Sequence, residues 1–175
     1  MILSPSLRKL TLAVHVVTSV GLLGSVAAFL VLAIAGLTIG DAEIVCGIYV
    51  VLDLLARLII VPLAITALAV GLIESLGTRW GLIRHYWIIA KLVVTIVAIV
   101  VMLLQLPTIG YLAAAAAAQP LSPGDLGEGR MALVLHSGGG LLVLLIPALL
   151  SIYKPRGRTG YGKSSSAGQA RTRSA

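Results

Sequence analysis

A chain of 175 residues that is 59% hydrophobic and 11% charged, with a mean hydropathy of +1.08, has too little polar surface to cover its apolar interior in water. That excludes an ordinary soluble domain and makes the bilayer its solvent. The formal charge of +7 reports membrane topology and anionic lipid, with no call for nucleic acid, and the single cysteine, Cys46, excludes an internal disulfide.

Four apolar runs, over residues 10–35, 44–73, 82–106 and 131–153, each reach the roughly 20 residues that a spanning helix requires. They predict an all-α polytopic membrane protein, a four-transmembrane-helix bundle over 1–153 followed by a basic tail over 154–175. In this arrangement Arg8, Lys9, Arg79, Arg84, Lys154, Arg156, Arg158, Lys163, Arg171 and Arg173 share one side. The opposite loops carry Asp41, Glu43, Asp125 and Glu128 with Arg130 alone as a basic residue. By the positive-inside rule both termini are cytoplasmic (N-in, C-in). The first run is too long for a signal-peptide core of about 7 to 15 residues, so cleavage after Ala33-Ile34-Ala35 is not expected.

Ser4-Pro5 predicts the start of the first helix, a capping hydroxyl followed by proline at the first helical position. Thr11, His15, Thr18, Leu22 and Ser25 recur at spacings of three or four, a stripe that should face the protein interior. After the short outer loop Thr38 to Glu43, the second helix carries Tyr49, Asp53, Arg57, Ile60, Ala64, Ala67, Gly71 and Glu74 on one stripe. Asp53 and Arg57 stand at i, i+4, which brings their heads together, and Pro62 is expected to kink the helix beyond them. Cys46, near the outer end, reads as a small apolar residue.

The inner loop Ser75 to Gly81 leads through Trp80, Tyr86 and Trp87, half of an aromatic belt, into the third helix. Its stripe is Arg84, Ile88, Lys91, Thr95, Ala98, Met102 and Gln105, and Pro107 with Gly110 is expected to end or bend it. The connection from Thr108 to Arg130 holds six alanines, Ala113 to Ala118, expected as a short surface helix, and then a Pro-rich loop. The fourth helix is expected to open at Arg130. It holds His136-Ser137-Gly138-Gly139-Gly140, where missing side chains admit another backbone or a flat ligand. The Gly-, Ser- and Arg-rich tail is disordered by composition and rests on anionic lipid, each cation contributing about 1 kcal/mol.

A rise of 1.5 Å per residue sorts the buried polar groups by depth. His15 lies roughly 9 to 11 Å beyond the Arg8-Lys9 border and Lys91 roughly 10 Å beyond Arg84, so the two share a level in the inner leaflet. Arg57 and His136 each lie about 25 to 27 Å above the inner border, with Asp53, as an outer layer. His15 and His136 are then some 15 Å apart along the normal, too far to be opposite ligands of one haem iron. His15 with Lys91 reads either as a ligand or acid/base pair for a porphyrin, a metal or a proton, or as an interhelical hydrogen bond beside a snorkelling lysine. Asp53 with Arg57 reads as a self-neutralising pair locking the second helix, or as an outer relay that uses His136. The soft sulfur atoms, Cys46 with Met1, Met102 and Met131, do not cluster, which weakens copper chemistry.

His15, the run Arg84-His85-Tyr86-Trp87 leading to Ala90-Lys91-Leu92, Leu135 to Gly140, and Tyr153 to Gly157 together carry a resemblance. Over residues 4–160 the chain resembles a family of uncharacterised actinobacterial integral membrane proteins. More distantly, the first-helix histidine and Trp87-x-x-x-Lys91-Leu92 resemble the CopD copper-resistance domain and HemJ, the membrane protoporphyrinogen oxidase. That resemblance implies a four-helix core in which His15 and Lys91 are functional, with haem b or a porphyrin as cofactor and Lys91 as the catalytic residue. Asp53 and Arg57 have no counterpart in that pattern. The function expected is a haem-, porphyrin- or metal-associated redox protein using the His15/Lys91 site. Its rivals are a small carrier or proton relay using both layers, and a non-catalytic subunit whose tail and glycines serve a homo-oligomer or another membrane partner.

Overall fold

The computed structural model describes residues 4–77, 86–118 and 127–153, and they form four long helices with no strand among them. All four are long and apolar enough to cross a membrane. The sequence expectations for Arg79 and Trp80, for Arg84 and His85, for the Pro-rich loop from Gln119, for the Trp87 side chain and for the tail from Lys154 fall outside the described residues.

The first helix, Pro5–Thr38, starts as its sequence predicts: Ser4 Oγ accepts from the Leu7 N–H at 3.3 Å, with Pro5 in the first turn. The second, Ala42–Gly77, is capped by Asp41, whose Oδ1 accepts from the Glu43 and Ile44 N–H groups at 3.0 and 3.1 Å. Each helix packs on its sequence neighbours, and the fourth closes on the first. The first and third helices therefore stand across one diagonal, and the second and fourth across the other.

Pro62 lacks the N–H that would bond back to Leu58, and its ring would press on the Leu58 carbonyl. The second helix absorbs this with a π-helical turn, Ala56–Ile60, in which the Val61 N–H reaches Ala56 O. One extra residue per turn shifts the phase. Ala56 and Ile60 stay buried while Arg57 leaves the buried stripe and is exposed.

Two boundaries differ from the sequence expectation. The third helix, Tyr86–Ala118, runs through Pro107 and Gly110 and includes the alanine run as its own last turns. The strong helix propensity of alanine and the burial of Ile109, Leu112 and Ala116 against the second and fourth helices outweigh one missing donor. The fourth helix opens at Gly127 and not at Arg130, which is 1% exposed inside the bundle.

The core is uneven along the bundle. At the end holding the turn Ile39 to Asp41, Phe29, Ala33, Val45, Tyr49, Leu52, Leu112 and Leu133 close it with side chains from every helix. Toward the end where the chain begins, residues 89–108 of the third helix and 138–150 of the fourth include no buried residue. The sequence-predicted inner half is thus the loosely packed half.

Candidate functional site

His15 lies in that loose half, on the first helix, half-buried. Its Nδ1 is 3.1 Å from Ala67 O on the second helix. A carbonyl only accepts, so Nδ1 carries the proton and donates, leaving the Nε2 lone pair for another partner. The ring lies on Gly71, where a Cβ would stand 3.0 Å from His15 Cε1.

One turn below Gly71 on the same stripe is Glu74. Its Oε1 is buried and has no hydrogen-bond partner among the described residues. Half-buried Lys91, on the third helix, and His15 both interact electrostatically with Glu74, and with each other. An imidazole, a carboxylate and an ammonium thus converge from three helices, with the second helix between the diagonal pair. Glu74 was legible only as the last residue of an interior stripe.

An orphaned buried oxygen costs about 1–3 kcal/mol, more when it is charged. Protonation, or a bound cation or donor, relieves that cost. Chemically, the cluster offers a proton acceptor at His15 Nε2, a carboxyl group at Glu74 and a cation at Lys91. No group of three or more His, Cys, Asp or Glu residues able to hold a metal ion occurs among the described residues.

The outer polar residues do not form one cluster. Arg57 Nε donates to Asp53 Oδ1 at 2.7 Å, and its Nη2 reaches Leu106 O on the third helix at 3.4 Å. Gly110 makes that approach feasible, since a Cβ there would be 2.7 Å from Arg57 Nη2. His136 is exposed and donates from Nδ1 to Ala132 O at 2.7 Å in its own helix. Among the described residues, no hydrogen bond or ion pair joins it to Asp53 or Arg57. Cys46 is more than apolar filling: its thiol donates to Ala116 O at 2.7 Å, linking the second and third helices.

Arg130, expected in the outer loop, is the polar centre of the closed end. Its Nε donates to Tyr49 Oη at 2.9 Å, Nη2 donates to the Gly36 carbonyl, and Cζ lies 5.6 Å from the Tyr49 ring centroid. It joins three helices. The sequence signal was its isolation as the one basic residue on an otherwise acidic side.

A tetrapyrrole at His15 would find a suitable donor in Nε2, held in orientation by the Ala67 carbonyl. The cavity between the third and fourth helices, about 280 Å³, is lined by His136 and not by His15 or Lys91. The two histidines therefore do not share that space. No family model, curated protein or solved structure matches this chain.

Proposed function

We propose that this is a multi-pass protein of a bacterial plasma membrane, both termini cytoplasmic, that takes up and releases a proton at a His15–Glu74–Lys91 site and works as a small proton-coupled carrier or relay. The observation that carries this reading is the buried Glu74 Oε1, without a hydrogen-bond partner among the described residues, near an imidazole and an ammonium in the loosely packed half of the bundle. A buried carboxyl without a donor is relieved most simply by a proton that comes and goes. His15 Nε2 is the neighbouring acceptor that can take up and return that proton, with Lys91 as the nearby cation. The basic tail rests on anionic lipid and orients the bundle.

The test is a pH-gradient measurement in proteoliposomes carrying an internal pH dye. The wild type dissipates the gradient faster than empty vesicles, whereas Glu74→Gln and His15→Ala do not. Equal rates for wild type and both variants would reject the proposal.

A second reading, tetrapyrrole binding at His15, is favoured by the ring orientation alone. It predicts a Soret band in protein purified from haem-replete cells that is lost in His15→Ala. A colourless protein rejects it, without bearing on proton exchange.

A further inference from the structure

We propose that the cavity between the third and fourth helices is a binding site for a long-chain, hydroxyl-headed lipid, with His136 as the hydroxyl's acceptor. This proposal is independent of the His15–Glu74–Lys91 site, which lies elsewhere in the bundle.

The cavity is half-open, about 280 Å³, close to the lower end of small-molecule pockets at roughly 300 Å³. Leu22, Phe29 and Ile60, each nearly fully buried, form its floor from the first and second helices. Its walls run from Thr95 to Ile109 on the third helix, roughly 21 Å, and from Leu133 to Leu144 on the fourth, roughly 16 Å. An elongated apolar trough parallel to the helices suits one hydrocarbon chain. A Cβ at Gly139 or Gly140 would meet no atom within 4 Å, so the glycines widen the trough instead of seating a neighbouring helix.

Bulk acyl chains need no polar partner, yet four polar side chains, Thr95, Gln105, His136 and Ser137, line this trough. His136 donates from Nδ1 to Ala132 O, which fixes its tautomer and leaves Nε2 as an acceptor only. Gln105 also lines the cavity, and the structure gives its amide no hydrogen bond among the described residues. Ser137 is not free for the task, since its hydroxyl already donates to Leu133 O at 2.6 Å. An acceptor and an amide donor together match a hydroxyl, which donates to His136 Nε2 and accepts from Gln105. Neither an ester nor an ether supplies the donor that Nε2 calls for, whereas a hydroxyl does.

The probe is a long-chain alcohol with a photoreactive tail, applied to the full chain in nanodiscs of phosphatidylcholine. Label is expected on peptides covering residues 95–109 and 133–144. Unlabelled alcohol should displace it about tenfold better than its methyl ether, the discrimination of one hydrogen bond. His136→Leu should retain the label but make alcohol and ether equal competitors, and Gly140→Leu, by filling the trough, should abolish it. Every variant is compared at matched thermal stability, and if Gly140→Leu does not fold, the His136→Leu competition decides. Label spread evenly over all four helices, or equal competition by alcohol and ether in the wild type, overturns the proposal.

Discussion

Gly71 is the surface on which His15 rests. A Cβ at position 71 would come within 3.0 Å of His15 Cε1, while the same ring keeps its Nδ1 3.1 Å from the Ala67 carbonyl. The orientation of the imidazole is therefore set by the absence of a side chain one helical turn from its acceptor.

Gly71→Ala should consequently displace the ring without unfolding the bundle. Overpacking costs about 1–3 kcal/mol, and alanine returns about 1 kcal/mol of helix propensity. The expected result is a net loss of stability of at most about 2 kcal/mol with a changed His15 tautomer, read by nitrogen NMR of labelled histidine. An unchanged His15 signal would show that the glycine does not position it.

At the closed end, Arg130 joins Tyr49 and Gly36. Tyr49→Phe removes one charge-assisted bond and should cost about 1.5–3 kcal/mol. Arg130→Ala should cost about 3 kcal/mol or more, since it also empties a buried volume. In a double-mutant cycle read by denaturant unfolding in detergent, the two losses should be clearly less than additive. Gly36→Ala should be destabilising as well, because its Cβ would stand 3.0 Å from Tyr49 Oη.

Asp53 and Arg57 pair at 2.7 Å beside the third helix. Asp53→Asn strands a guanidinium within an apolar span and should cost about 2–3 kcal/mol. The double variant Asp53→Asn with Arg57→Gln should recover most of that stability. Equal losses in both would mean that the pair contributes nothing as a pair.

The orientation is tested by cysteine labelling in a Cys46→Ser background. Gly40→Cys, in the turn between the first two helices where a Cβ meets nothing within 4 Å, should react with an impermeant reagent from outside. Lys154→Cys should react only after the membrane is opened. The opposite pattern would invert the topology.

The four helices and the interior stripes were legible because a bilayer permits few solutions for long apolar runs, and His15, Thr18 and Leu22 fall on the expected face. The ends of the helices were less so. Pro107 reads locally as a breaker, but burial of Ile109 and Leu112 carries the helix past it. The π turn before Pro62 was hidden for a related reason, since a sequence stripe assumes a constant period, and one inserted residue moves Arg57 off it. His15 and Lys91 stood out as ionisable groups within apolar runs. Glu74 did not, because a carboxylate at the end of a span looks like a headgroup anchor until Gly71 and His15 are placed beside it.

Proton exchange at Glu74 in concert with His15 and Lys91 is the step on which the proposed function rests. Infrared difference spectra of the protein in lipid, recorded across a pH titration, test it most directly through the carbonyl band of a protonated carboxyl. A carboxyl band should vanish in Glu74→Gln and titrate over a different pH range in His15→Ala and Lys91→Met. A spectrum unchanged by Glu74→Gln would contradict it.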